Sequence, residues 1–160
     1  MPSTTMQSGA GAESSSLTLV FSLPPSGLRR NHEANRFARS TLKDAYSLTM
    51  WTEFIQSGEH ARIGAERQRG ALHAEVVWRQ CGEGDVDNTL ASLKPMFDNL
   101  GCAPATQAGA NRYYLGIYES DSQIKRICVA RERVLKKSEE CVLVSLSELA
   151  PAIDAAPSPA

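Results

Sequence analysis

The chain has 160 residues, of which 42% are hydrophobic and 22% are charged, and its formal net charge is −1. This composition argues against a fibrous, collagen-like or wholly disordered chain. No apolar run approaches the roughly 20 residues that cross a bilayer, so the sequence predicts a protein that does not span a membrane. A dedicated nucleic-acid-binding domain is usually more basic, and the overall charge therefore points to no partner.

Both ends of the chain are poor in large apolar residues. Residues 1–16 are rich in Ser, Gly and Thr, and residues 150–160 are mostly Ala, Pro and Ser. Neither segment can offset the entropy of ordering, so we expect two disordered tails around one domain over 17–149. The first tail lacks the basic start and apolar stretch of a signal peptide, and we expect a cytoplasmic protein.

The first two predicted elements are a strand and a helix. The strand covers 17–22 and ends at Pro24-Pro25. The helix covers 40–56, with Ser40 as its N-cap. Its apolar residues recur at a four-residue spacing and predict a broad buried face. They lie at positions 42, 46, 50 and 54, backed by 48, 51 and 55.

Alternation and helical spacing predict the remaining elements. Residues 71–79 alternate as a half-exposed strand, and apolar residues from Leu90 to Leu100 form a helical stripe that Gly101 ends. Pro95 should kink this helix or mark where its regular part begins. Two further strands are predicted over 123–132 and 140–149. The order β, α, β, α, β, β predicts a small single domain of the α/β class (α+β type), with a mixed sheet flanked by helices.

Basic residues are concentrated in two segments. One contains Arg29, Arg30, Arg36, Arg39 and Lys43, and the other contains Lys125, Arg126, Arg131, Arg133, Lys136 and Lys137. Each segment alone is typical of a solvated polar face. Beside a carboxylate site they would instead bind the phosphates of DNA, and Arg29, Arg30, Arg36, Lys125 and Arg126 are the predicted contacts.

The segment Asp85-Val86-Asp87-Asn88 is the most informative part of the sequence. Carboxylates two residues apart at the end of a strand project from one face and can converge on a cation. Mg²⁺ prefers one or two carboxylates together with substrate phosphate. The alternative is a turn in which Asp87 or Asn88 caps the following helix.

Two further residues favour the metal site. Asp121 precedes a predicted strand, where a loop could bring it to the same edge of the sheet, and Lys94 follows the aspartate pair on the predicted helix. Three carboxylates and one ammonium suit phosphodiester hydrolysis. The metal polarises the phosphoryl oxygen and activates water, while the ammonium stabilises the developing negative charge.

Four segments occur in a fixed order: Pro24-Pro25-Ser26, Asp85-Val86-Asp87-Asn88, KPMFDNL over 94–100 and DSQIKR over 121–126. Together they resemble the RusA family of Holliday-junction resolvases, which are often phage- or prophage-encoded, and the similarity covers about Leu17 to Leu149. The resemblance implies a homodimeric, Mg²⁺-dependent endonuclease, with Mn²⁺ as a substitute metal. Such an enzyme cuts two strands of a four-way DNA junction symmetrically during recombination and repair.

The resemblance also implies roles for single residues. Asp85, Asp87 and Asp121 match the metal-binding acids of the family, and Lys94 matches its catalytic lysine. The family lysine lies four residues after the second aspartate, whereas Lys94 lies seven residues after Asp87. An added turn or a bulge near Thr89 to Ser92 would have to accommodate the three extra residues.

Two other functions remain open from the sequence. One is a less selective, structure-specific DNA nuclease on the same fold, and the other is a non-catalytic DNA-binding module. Retention of all three aspartates favours catalysis over binding alone. Branch selectivity depends on dimer geometry and loops, which the sequence does not define.

Overall fold

The computed structural model describes residues 16–28, 36–63, 70–84, 86–104 and 113–149, and the statements below refer to these ranges. The predicted tails lie outside the described residues, apart from Ser16. Within the described ranges, no helix is long and apolar enough to cross a membrane.

Four strands form one mixed sheet. They are β1 (Leu17–Phe21), β2 (Leu72–Gln80), β3 (Ile124–Arg133) and β4 (Cys141–Glu148), in the order β1-β4-β2-β3. β4 is antiparallel to both β1 and β2, whereas β2 and β3 are parallel. The predicted fold class is confirmed, because the chain forms a small α+β domain around a mixed sheet.

Helices cover one face of this sheet. They are α1 (Arg36–Ser57), α2 (His60–Ile63), α3 (Val86–Ser92) and α4 (Lys94–Leu100). Alternate residues of β2, from Leu72 to Trp78, are buried and belong to the same core as buried side chains of α1 and α4. Side chains of period two on the strands and period 3.6 on the helices thus build one core between two layers.

The first helix differs from its prediction at both its start and its exposed side. It begins at Arg36, so the prediction that Ser40 is its N-cap is wrong. Tyr46, Met50 and Phe54 are buried as predicted, but Leu48 and Ile55 are 47% and 39% exposed. The prediction of a broad buried face is therefore wrong for Leu48 and Ile55, because a helix that lies on a sheet buries only the side that faces the sheet.

The predicted helix before Gly101 is two short helices that meet at Leu93. Pro95 is the second residue of α4, where its missing N–H is tolerated, so it marks a helix start. Gly101 ends α4 with a φ of −78°. Gly101 thus ends the helix as predicted, but without the left-handed conformation that often favours glycine there. A Cβ at this residue would lie 2.9 Å from the Tyr118 ring, so close packing explains the glycine.

Candidate functional site

Asp121 lies in a tightly held turn immediately before β3. Residues Asp121–Gln123 form one turn of 3₁₀ helix, which Ser120 caps by accepting a hydrogen bond from the Ser122 N–H. The Gln123 side chain accepts hydrogen bonds from the N–H groups of Glu119 (2.8 Å) and Ser120 (3.1 Å). It also donates to the Gly70 carbonyl, 3.1 Å away. Gln123 therefore fixes the turn that carries Asp121 and ties it to the residues just before β2.

Backbone hydrogen bonds join the end of α4 to the segment that leads to this turn. The N–H groups of Leu115 and Ile117 donate to the carbonyls of Asn99 (2.8 Å) and Leu100 (2.9 Å). The Cys102 N–H donates to the Tyr118 carbonyl at 3.0 Å. These backbone hydrogen bonds fix the distance and orientation between the two segments. The side chains of α4 thereby reach a residue more than 20 positions further along the chain.

Lys94 is the residue that makes this connection. Its Nζ donates to Asp98 Oδ1 at 2.5 Å and to Asp121 Oδ2 at 3.2 Å. The hydrogen bond to Asp98 raises the pKa of Lys94 above its ordinary value, and the hydrogen bond to Asp121 acts in the same direction. The side chain therefore carries a positive charge at neutral pH, which suits an electrostatic role rather than that of a base.

Asp98 is a member of this group to which the sequence argument gave no role. It lies one helical turn after Lys94, and carboxylate and ammonium groups four residues apart lie on the same face of a helix. That spacing is visible in the sequence, but it is common on exposed helices. Only the position of Asp121 shows that this pair belongs to a larger site.

Both carboxylates line an open cavity of about 400 Å³. Phe97, Tyr114 and Tyr118 supply aromatic surface, and the remaining lining residues are Gly101, Cys102, Ala103, Pro104, Glu119 and Ser120. Tyr118 is fully buried beneath the cavity, and its hydroxyl donates to the Phe97 carbonyl at 2.5 Å. Burial raises the pKa of this phenol, which therefore remains protonated and serves to support the site.

We expect Tyr118→Phe to lower the free energy of unfolding by about 1–3 kcal/mol, because the buried Phe97 carbonyl loses its donor. Urea unfolding monitored by circular dichroism measures the change. Tyr113→Phe is the matched control, since Tyr113 is 43% exposed and its loss of a hydroxyl should be neutral. An equal effect of the two substitutions would contradict this role for Tyr118.

The two predicted aspartates of the Asp-x-Asp segment are not seen together. Asp85 lies outside the described residues. Asp87 is the second residue of α3, so its placement at a strand end is wrong. Asp87 is therefore not part of an extended strand, so the alternation of side chains that predicted convergence of the two carboxylates does not apply to it. Since α3 begins at Val86, neither Asp87 nor Asn88 is the cap that the alternative predicted.

Asp87 also lies towards the other end of the sheet from Asp121. Thr89 of α3 accepts a hydrogen bond from Arg131 at 3.1 Å. Arg131 pairs with Trp78, whereas Ile124, just after the Asp121 turn, pairs with Leu72. Ile124 and Arg131 are seven residues apart on β3, which corresponds to about 23 Å along the strand. Lys94, which lies seven residues after Asp87 at the start of α4, is nevertheless within hydrogen-bond distance of Asp121.

The chemistry of the donor set suits a divalent metal in one respect. Oxygens of Asp98 and Asp121 converge on one nitrogen, so a cation already lies between two carboxylates. Mg²⁺ binds through one or two carboxylates and completes its shell with water and phosphate. Within the described ranges, however, no three His, Cys, Asp or Glu side chains are grouped so that they could hold one metal ion. The Asp121 carboxylate is therefore suited to bind a metal ion, but the described acids do not form a site with three ligands.

The predicted DNA contacts are distributed over two described elements. Lys125 and Arg126 are exposed on β3, which is an edge strand of the sheet and follows directly from Asp121. Arg36 is exposed at the start of α1. Arg29 and Arg30 lie outside the described residues. Of these positions, Lys125 and Arg126 are closest in sequence to the carboxylate site.

No protein-family model matches this chain, and no curated protein sequence matches it either.

Proposed function

We propose that the protein is a Mg²⁺-dependent endonuclease that resolves four-way DNA junctions as a homodimer. The observation that carries the proposal is the contact of Lys94 with Asp121, two residues from separate segments that resemble RusA motifs. A lysine and a carboxylate beside an open cavity supply two of the groups that phosphodiester hydrolysis requires. The ordered motifs over about 17–149 support junction DNA as the substrate.

In this proposal Lys94 stabilises the scissile phosphate. Asp98 and Asp121 hold its ammonium group in one position, so little reorganisation accompanies the reaction. A preformed charge acts most strongly on the negative charge that develops in the transition state. Asp98 is then a positioning residue, because it acts through Lys94.

Asp121 would hold the metal ion; the resemblance also implies Asp85 and Asp87 as ligands, but Asp87 lies towards the other end of the sheet and is not proposed as one. When bound, the ion would polarise the phosphoryl oxygen and lower the pKa of a water molecule. The turn fixed by Gln123 keeps the Asp121 carboxylate at the cavity wall.

The exposed basic residues of β3 would bind DNA phosphates next to the site. We expect Lys125→Ala with Arg126→Ala to weaken binding of junction and duplex alike. The slope of log K against log salt should fall by about one unit per lost contact. Fluorescence anisotropy over a salt series measures both effects. Arg79→Ala is the control, because Arg79 is already paired with Glu132 at 2.6 Å. An unchanged slope would assign Lys125 and Arg126 to an ordinary solvated face.

The experiment that tests the function compares a synthetic four-way junction, a flapped duplex and a linear duplex, each with Mg²⁺ and with EDTA. Paired, symmetric nicks in the junction alone support a resolvase. Cutting of all branched substrates favours the less selective nuclease. Binding without any cleavage, in Mg²⁺ or Mn²⁺, would overturn the catalytic proposal and leave a DNA-binding module.

A further inference from the structure

The face of the sheet that points away from the helices is open to solvent. Alternate residues of β2 from Leu72 to Trp78 belong to the core, so the residues between them project from the opposite face. The β2 residues on that face are His73, Glu75, Val77 and Arg79, and none of them is fully buried. We call the face that carries them the open sheet face. A small molecule in solution can reach the side chains on it.

A histidine and a cysteine contact each other on the open sheet face. The pairing of β2 with β3 sets Arg126 opposite His73 and Cys128 opposite Glu75. His73 Nε2 lies 3.4 Å from Cys128 Sγ, which is within hydrogen-bond distance for sulfur. The two residues are 55 positions apart in the sequence, so the pairing of the strands is what brings their side chains together.

Cys128 is the most accessible of the four cysteines. All four thiols are free, and Cys128 is exposed whereas Cys81, Cys102 and Cys141 are half-buried. The thiolate rather than the thiol is the nucleophile, and a base within hydrogen-bond distance can accept the thiol proton. Cys128 and His73 therefore have the arrangement of a nucleophile and its base, at a position that solvent reaches.

The charged groups around this pair oppose each other. Arg126 lies two residues before Cys128 on the same face of β3, and its positive charge favours the thiolate. Glu75 lies directly opposite Cys128 on β2, and its negative charge favours the neutral thiol. Both side chains are exposed, so water and salt screen both effects. The contact with His73 is therefore the feature that would activate the thiol.

A metal site is a poorer fit for this group. Cys128, His73 and Glu75 have side chains of the types that bind zinc. Within the part of the chain that the structure describes, however, no three such side chains are grouped so that they could hold one ion. The contact of one sulfur with one imidazole therefore suits covalent chemistry of sulfur better than metal binding.

We propose that Cys128 is a thiol–disulfide exchange site, at which His73 is the base and a low-molecular-weight disulfide is the co-reactant. His73 Nε2 accepts the thiol proton, and the Cys128 thiolate attacks one sulfur of the disulfide. The new S–S bond forms as the S–S bond of the co-reactant breaks. The departing thiolate takes the proton from His73 and leaves as a thiol. Cys128 is thereby oxidised to a mixed disulfide, the released half of the co-reactant is reduced, and excess thiol reverses the step.

Cys141 shares the open sheet face but is too far away to form a disulfide with Cys128. Cys141 pairs with Arg79, whereas Cys128 pairs with Glu75. These two β2 positions are four residues apart, which corresponds to about 13 Å along the strand. A disulfide requires Cα atoms within about 7 Å of each other. Exchange therefore leaves a mixed disulfide on Cys128 rather than a bridge to Cys141.

Reaction of the full chain with the aromatic disulfide dithiobis(nitrobenzoate) tests the site, because each exchange releases a coloured thiolate. We expect a fast phase that Cys128→Ala removes, and peptide mass spectrometry should place the first adduct on Cys128. His73→Gln should slow this phase by about tenfold or more at neutral pH, since the base is lost while Cys128 stays exposed. The difference should narrow at alkaline pH, where hydroxide deprotonates the thiol without a neighbouring base.

Glu75→Gln is the matched control, because it changes the residue directly opposite Cys128 and leaves His73 in place. It should not slow the fast phase, since it removes a charge that opposes the thiolate. A fast phase on another cysteine, or a His73→Gln variant that reacts at the wild-type rate at neutral pH, would overturn the proposal.

Incubation of the wild-type chain with oxidised glutathione provides a second measurement that needs no variant. Intact-mass spectrometry should show a single adduct on each modified chain, peptide mapping should assign it to Cys128, and dithiothreitol should remove it. Adducts distributed evenly over the four cysteines would contradict a selective site. Neither measurement uses DNA or a metal ion, so the exchange site and the proposed nuclease activity can fail separately.

Discussion

Asp121→Asn is expected to reduce Mg²⁺-dependent cleavage of a four-way junction by at least about 10³-fold, while junction affinity stays equal or increases. The substitution keeps the shape of the side chain but removes the charge that a divalent ion requires. It also relieves repulsion between the carboxylate and the DNA phosphates. Single-turnover cleavage and anisotropy, measured on the same preparation, separate the two effects.

The control for this prediction is Glu132→Gln, which removes a carboxylate from the ion pair with Arg79. It alters the surface charge equally but lies away from Lys94 and the cavity. Asp121→Asn with cleavage near the wild-type rate would exclude Asp121 as a metal ligand. Loss of cleavage in both variants would indicate a general effect of charge rather than a site.

Lys94→Ala should lower the single-turnover cleavage rate by roughly 10²–10³-fold with little change in junction affinity. This loss is of the size seen when one donor to a developing charge is removed. A small change in affinity is expected because the contact strengthens mainly in the transition state. The competing account assigns the catalytic ammonium to another residue, such as Lys125, and it predicts near wild-type cleavage by Lys94→Ala.

Asp98 allows a sharper test of the same assignment. If Asp98 acts by holding Lys94, Asp98→Asn should slow cleavage in the wild-type background and have no further effect in Lys94→Ala. Residues that share one interaction show this non-additivity, whereas independent sites add their effects. Additive losses would mean that Asp98 acts without the lysine. Asp98→Glu keeps the charge and should recover part of the rate.

Local sequence patterns are sufficient to predict the strands and part of the candidate site. Alternating residues such as Leu72 and Trp78 predicted a half-buried strand, because side chains of a strand point to opposite faces whatever the rest of the fold. The position of Asp121 just before β3 also follows from local sequence, because the strand after it is predicted from its own residues. The sequence predicts an irregularity between α3 and α4 but not its kind, since Pro95 favours a helix start as well as a kink. These features depend on neighbours within a few residues.

The tertiary structure decided which apolar residues are buried and which charges meet. Positions 48 and 55 of α1 show the same helical recurrence as 46 and 50, and only the placement of the sheet leaves Leu48 and Ile55 exposed. Lys94 and Asp98 form a pair that the sequence allows, but the contact of Lys94 with Asp121 depends on backbone hydrogen bonds between 99–102 and 115–118. Spacing along a chain fixes directions only within one element. The distance between two elements depends instead on packing and long-range hydrogen bonds.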